Sequence, residues 1–194
     1  MIKNDKWIRR MALKRDLIAP FEPKLIKKVN QMSILSYGLS SFGYDIRLSS
    51  LDFRVFRRIP GQVIDPKHFD KKCLEQAELK LSYEGNYFIL PALSYGLGVA
   101  FERIVMPPNV SALCIGKSTY ARMGIIANLT LVEPSWEGHL TLELSNSSAA
   151  DCKIYADEGI VQLMFFQGDR PLVNYAERLG KYQDQPERVV FAKV

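Results

Sequence analysis

The chain has 194 residues, 47% of them hydrophobic and 24% charged, enough for one domain with a sizeable core and unlike a disordered, collagenous or disulfide-dense protein. Its three cysteines, Cys73, Cys114 and Cys152, are odd in number and far apart, which argues against a disulfide framework and for a reducing compartment. The net charge of +5 is spread over pairs such as Arg9-Arg10, Lys27-Lys28 and Lys71-Lys72, with no longer run and no interleaved aromatics, so a nucleic-acid footprint is disfavoured while a small phosphorylated ligand suits the balance.

In chain order, the opening Met1-Ile2-Lys3-Asn4-Asp5-Lys6-Trp7 lacks the apolar block of a signal peptide, and no later stretch approaches the ~20 apolar residues that span a bilayer. A cytoplasmic protein without membrane contact is the expectation. An amphipathic helix follows: Asn4 or Asp5 can cap it, Ile8, Met11 and Ala12 share one face, and Lys14 and Arg15 suit its C-terminal end. Pro20 and Pro23 stop any continuation, and Phe21 to Gln31, polar and basic without a clear period, is expected to be a connector.

From Tyr44 onward, short runs rich in β-branched and aromatic residues alternate with turn residues about every ten positions. Predicted strands are Tyr44 to Ser49, Phe53 to Arg57, Tyr87 to Leu90, Gly96 to Arg103, Ala112 to Ile115, Ile125 to Leu131, His139 to Ser145, Lys153 to Tyr155 and Ile160 to Phe166. The pattern predicts a mostly-β barrel or sandwich, with no helix-strand alternation and no repeat. Tyr175 to Val194 is expected to be a tail whose Val189-Val190-Phe191 docks on something.

Two stretches carry chemistry. Gly116-Lys117-Ser118-Thr119-Tyr120-Ala121-Arg122-Met123-Gly124 places a lysine, two hydroxyls and an arginine between two glycines. It is not a phosphate loop of the nucleoside-triphosphatase type, because the upstream glycine is missing and the surroundings are β-rich. As a single helical turn it puts Ser118 and Arg122 on one face and offers backbone N–H groups to phosphate oxygens. Alternatively it is a connector that Ser118 caps, with Lys117 and Arg122 solvated.

In Leu140-Thr141-Leu142-Glu143-Leu144-Ser145, alternation directs Glu143 away from the leucine face, toward solvent or a cleft walled by Glu133-Pro134-Ser135-Trp136-Glu137-Gly138. A water-activating zinc centre needs a histidine and nearby paired cysteines, and here neither His68 nor His139 has them, so no protein-bound metal is expected. A Ser-His-Asp triad is no better supported, since neither histidine has a serine in a nucleophile-elbow context.

Ser36-Tyr37-Gly38-Leu39-Ser40-Ser41-Phe42-Gly43-Tyr44-Asp45-Ile46-Arg47, then Gly116 to Gly124, Glu133 to Glu143, Gly159-Ile160-Val161-Gln162 and Gly180-Lys181-Tyr182-Gln183-Asp184-Gln185 together resemble bacterial dCTP deaminase in order and spacing, as does the opening Asp5 to Met11. The resemblance implies the dUTPase-like fold, a distorted jelly-roll β-barrel with a short N-terminal helix, assembled as a homotrimer with active sites between subunits. It also implies conversion of dCTP to dUTP and ammonia, supplying dUTP for dUMP and thymidylate synthesis, with Mg2+ bound through the substrate triphosphate. dTTP is the inhibitor that the family suggests.

By the same resemblance the catalytic residues are Glu143, Ser118 and Arg122, with Glu143 the proton acceptor and donor. Lys117, Ser118, Thr119, Tyr120, Ala121, Arg122, Thr141, Leu142, Glu143, Gln162, Tyr175, Lys181 and Gln185 contact the nucleotide or order the water, and residues 175–194 form a tail that closes over the site. After Gln185 the chain departs from the family, with Pro186-Glu187-Arg188 setting an acidic group where phosphate oxygens approach. The alternatives are a dUTP diphosphatase, a bifunctional enzyme running through to dUMP, and a non-catalytic nucleotide-binding module.

Overall fold

The computed structural model describes residues 1–57, 59–61, 63–128 and 130–193, with the backbone alone at Thr130. Helix α1 (Asp5–Arg15) starts where Asn4 accepts a side-chain hydrogen bond from the Trp7 N–H, and it buries Ile8 and Ala12. It ends ahead of the prolines, at Asp16, whose left-handed backbone lets its N–H reach the Met11 carbonyl.

The rest is antiparallel β structure, in β1 (Ile18–Ala19), β2 (Leu25–Val29), β3 (Met32–Ser40), β4 (Gly43–Phe56), β5 (Leu74–Gln76), β6 (Tyr87–Leu90), β7 (Tyr95–Val105), β8 (Val110–Gly116), β9 (Ile125–Ala127), β10 (Thr130–Val132), β11 (Glu137–Asn146), β12 (Cys152–Tyr155) and β13 (Gly159–Gln167). A single helical turn, α2 (Ser118–Ala121), follows β8. The main sheet runs β10-β8-β13-β4-β7-β11-β9, and β6 pairs with β12 apart from it. The sheet curls into a half-barrel of the dUTPase-like class, mostly β with one N-terminal helix, as the resemblance implied.

Strand β4 makes the curl. The runs expected as two strands, Tyr44 to Ser49 and Phe53 to Arg57, form one 14-residue strand, whose first half pairs with β13 and whose second half pairs with β7 and β5. A register shift between Leu48 and Phe53 bends it. Its inward residues Tyr44, Ile46, Leu48 and Phe53 are fully buried and join Phe88, Leu90, Leu142, Leu144, Leu163 and Phe165 in one core.

Two further expectations are corrected. Phe21 to Gln31 is not a connector, for it contains β2, which hairpins onto β3 through Asn30 and Gln31, both at positive φ. Lys27 and Lys28 hid it, because an exposed outer strand carries charge rather than alternation. Ile125 to Leu131 is not one strand either. It divides into β9, paired with β11, and β10, paired with β8, because the two halves cross between opposite edges of the curled sheet. Leu129 between them lies outside the described residues. Among the described residues no helix is long and apolar enough to cross a membrane.

Candidate active site

On β11 the alternation is as expected: Leu140, Leu142 and Leu144 are buried, and Glu137, His139, Thr141, Glu143 and Ser145 are partly buried on the other face. That face is covered rather than bare. The C-terminal segment lies along it, with the His139 N–H donating to the Gln185 carbonyl at 2.9 Å and the Asp184 N–H to the Glu137 carbonyl at 2.9 Å. Gly138 permits this approach: its φ is +132°, and a Cβ there would sit 2.5 Å from the Gln185 nitrogen.

Between strand and tail is a cavity of about 420 Å³ whose walls include Glu143, Thr141, Trp136, Tyr175, Tyr182 and Gln185. Glu143 is held by Asn128, which donates through Nδ2 to Oε2 at 3.2 Å and through its backbone N–H to the Glu143 carbonyl at 2.9 Å. Burial first, and the Glu143 charge second, raise the Tyr95 hydroxyl and push the Cys114 thiol up to about 12. Thr141 Oγ1 donates to Gln185 Oε1 at 2.9 Å and accepts from the Val190 N–H at 3.1 Å.

The tail is fastened at several points. The Trp136 indole donates to the Tyr182 carbonyl at 2.7 Å, and the Tyr182 N–H donates to the Tyr175 hydroxyl at 2.9 Å. Beyond Gln185, Val189 is buried with Leu74 and Leu97, and Phe191 packs against the same group. Glu187 does not line the cavity; its carboxylate accepts a hydrogen bond from Ser49 at 2.6 Å. Lys181 is exposed, and its ammonium lies 3.5 Å from the Lys193 carbonyl.

The remaining candidates form a second group on the flank of the sheet. In α2, Ser118, Thr119, Ala121 and Arg122 are exposed, and Arg122 Nη1 donates to Ser118 Oγ at 3.1 Å. Lys117 is the capping position and makes no side-chain cap bond. Its ammonium instead pairs with Asp45 and donates to Ser36 Oγ at 3.1 Å, while Gln162 Nε2 donates to Asp45 Oδ1 at 2.8 Å. None of Lys117, Ser118, Arg122 and Gln162 lines the Glu143 cavity. Tyr120 and Leu142 are buried in the core, and the Tyr120 hydroxyl accepts from the Tyr155 N–H at 2.9 Å.

A family model described as dCTP deaminase-like matches residues 2–168. A protein of Laribacter hongkongensis named dCTP deaminase is 48% identical over 185 residues, covering 95% of each chain. A second dCTP deaminase, from Dechloromonas aromatica, is 46% identical over 194 residues, 100% of this chain and 99% of that one.

The chain belongs to the dCTP deaminase-like family. Among solved structures, the 2'-deoxycytidine 5'-triphosphate deaminase from Agrobacterium tumefaciens shares the fold, with a TM-score of 0.59 at 18% identity over 89% of this chain. This chain spans about half of that one, 49% of its length. Two further residues of the site carry no local signal in the sequence. Asp45 belongs to the Ser36 to Arg47 block without a role of its own there, and Asn128 falls inside the predicted strand Ile125 to Leu131.

Proposed function

We propose that this protein catalyses hydrolytic deamination of dCTP to dUTP and ammonia, with Glu143 carrying the protons. The observation that supports it most is the Glu143 carboxylate on the wall of a partly enclosed cavity, fixed by Asn128 and covered by the tail. Attack of water on C4 of the cytosine requires a base to take the water's proton and an acid to return protons to N3 and to the departing amine, and one carboxylate serves both steps in turn. Carbon–oxygen bond formation and loss of ammonia then leave the uracil ring.

Thr141 and the neighbouring β11 backbone hold the base and sugar against Glu143 in this reading, and Tyr175, Lys181 and Gln185 bring the tail over the nucleotide, excluding water. Magnesium enters as part of the substrate, bound to the triphosphate. Among the described residues no group of three or more His, Cys, Asp or Glu side chains is placed to hold an ion. The exposed Ser118 and Arg122, at the start of a chain turn away from their own Glu143 cavity, are available to the cavity of a neighbouring copy. A homotrimer with sites between subunits, in which Arg122 and Ser118 order the attacking water, is the assembly we infer. The dUTP formed supplies dUMP and thymidylate synthesis.

Incubation of the purified protein with magnesium and dCTP, with ammonia, dUTP, dUMP and pyrophosphate resolved, tests the reaction. Ammonia and dUTP in equal amounts without pyrophosphate are expected; pyrophosphate with dUMP would make the enzyme bifunctional, and nucleotide binding without any product would overturn deamination.

A further inference from the structure

Asp45 is 4% exposed, in the strand directly opposite Gln162. Its two carboxylate oxygens serve two different residues of the nucleotide-binding set: Oδ2 accepts from the Lys117 ammonium and Oδ1 from Gln162 Nε2 at 2.8 Å. Each of those donors has a second tether, Lys117 on Ser36 Oγ at 3.1 Å and Gln162 on Ser40 Oγ at 3.2 Å. The Lys117 side chain is only 12% exposed. An ammonium carries three protons and accepts none, so with two committed, the third is the one it can present.

We propose that Asp45 is a positioning residue for triphosphate binding, locking Lys117 and Gln162 into one arrangement in which the remaining ammonium proton is aimed at a phosphate oxygen. This rests on the reading that Lys117 and Gln162 bind the nucleotide. Register puts Asp45 and Gln162 opposite one another, and Lys117 follows directly on the end of β8, so one buried carboxylate couples two strand residues with the cap of α2. Two physical consequences follow. A long flexible lysine is ordered on folding rather than on binding, which favours affinity. Since Asp45 balances its charge, Lys117 also acts as a directed donor more than as an unspecific attractor of anions.

The test is a calorimetric titration of magnesium–dCTP into the full chain and into Asp45→Asn, Lys117→Met and the double variant, with ammonia release by the unaltered protein measured in parallel. Asp45→Asn is expected to weaken binding about tenfold, and in the Lys117→Met background the same change is expected to cost only the smaller part that runs through Gln162, roughly two- to threefold. Unchanged affinity in Asp45→Asn, or losses that multiply in the double variant, would overturn the proposal, since the effect of a merely structural aspartate would not shrink on removing Lys117.

Should Asp45→Asn lack the native circular dichroism spectrum, Ser36→Ala loosens the same ammonium without removing a charge. It should weaken binding roughly two- to threefold, and not at all in the Lys117→Met background; equal weakening in both backgrounds overturns the proposal. An unaltered protein that binds magnesium–dCTP but releases no ammonia overturns deamination while the binding cycle still reads the coupling. An unaltered protein that binds none overturns both.

Discussion

Asn128 holds Glu143 twice, through its side-chain amide at 3.2 Å from Oε2 and through its backbone N–H at 2.9 Å from the Glu143 carbonyl. The two residues lie 15 apart in sequence, and the contact exists because β9 pairs with β11 just beyond Glu143 and delivers Asn128 alongside it. A carboxylate that must take a proton from one water and return it elsewhere needs a fixed orientation, and this amide supplies one.

Asn128→Ala is therefore expected to lower kcat for dCTP deamination by about tenfold with little change in KM, because the base stays present and loses its orientation. Steady-state kinetics check this, with circular dichroism to show that β9 still pairs. An equal loss in KM with kcat unchanged would assign Asn128 to substrate binding instead.

Gly138→Ala should detach the tail. The left-handed backbone and the 2.5 Å approach of the Gln185 nitrogen leave no room for a methyl group. The expected result is a KM for dCTP raised by about an order of magnitude with a melting temperature lowered by only a few degrees, because the closure contributes to binding while the strain is confined to the Gly138 end of β11. A native KM would mean that the tail does not cover bound nucleotide.

Val189→Asp tests the same tail from its far end. Val189 is 7% exposed and packs with Leu74 and Leu97, and its N–H donates to Asp52 Oδ2 at 3.1 Å. Burying a carboxylate beside Asp52 is unfavourable enough to release the segment. Trypsin should then cut after Lys181 and Arg188 far faster than in the unaltered protein, and bound magnesium–dCTP should slow the cutting only weakly.

Much of this fold was legible because β11 alternates cleanly, β13 is an apolar run bounded by turn residues, and α1 carries both its cap and its apolar face. Glu143 was legible for the same reason, as the polar member of a leucine strand. Its partner was not. Asn128 acts through a β9–β11 pairing that no local pattern specifies, and Asp45 acts through a register that sets it opposite Gln162. The hairpin of β2 and β3 was hidden by Lys27 and Lys28, whose charges suit an outer strand but break its period. The role of Glu187 was equally invisible, since Ser49, which takes up its carboxylate, lies 138 residues away.

Alkaline stability should fall in a defined window. Burial pushes the Cys114 thiol up to about 12 from an ordinary 9.0 and also raises the Tyr44 and Tyr120 hydroxyls. Above pH 9 the unfolded chain ionises at Cys114 while the folded chain does not, so ionisation favours unfolding, by about 1.4 kcal/mol for each pH unit until the folded thiol titrates. Thermal melts between pH 8 and 11 should show a steep decline, and Cys114→Ser should make it shallower. Equal slopes in the two proteins would remove Cys114 from the account.

The most direct measurement is ammonia release from dCTP by Glu143→Gln beside the unaltered protein, with magnesium–dCTP affinity measured on both. Glutamine keeps the shape and an acceptor for Asn128 but cannot take a proton. The expected result is a fall in kcat of at least about a hundredfold, the lower range for a lost general base, with nucleotide affinity within a few-fold of native. Deamination at the native rate in Glu143→Gln would contradict the assignment of Glu143 as the proton carrier.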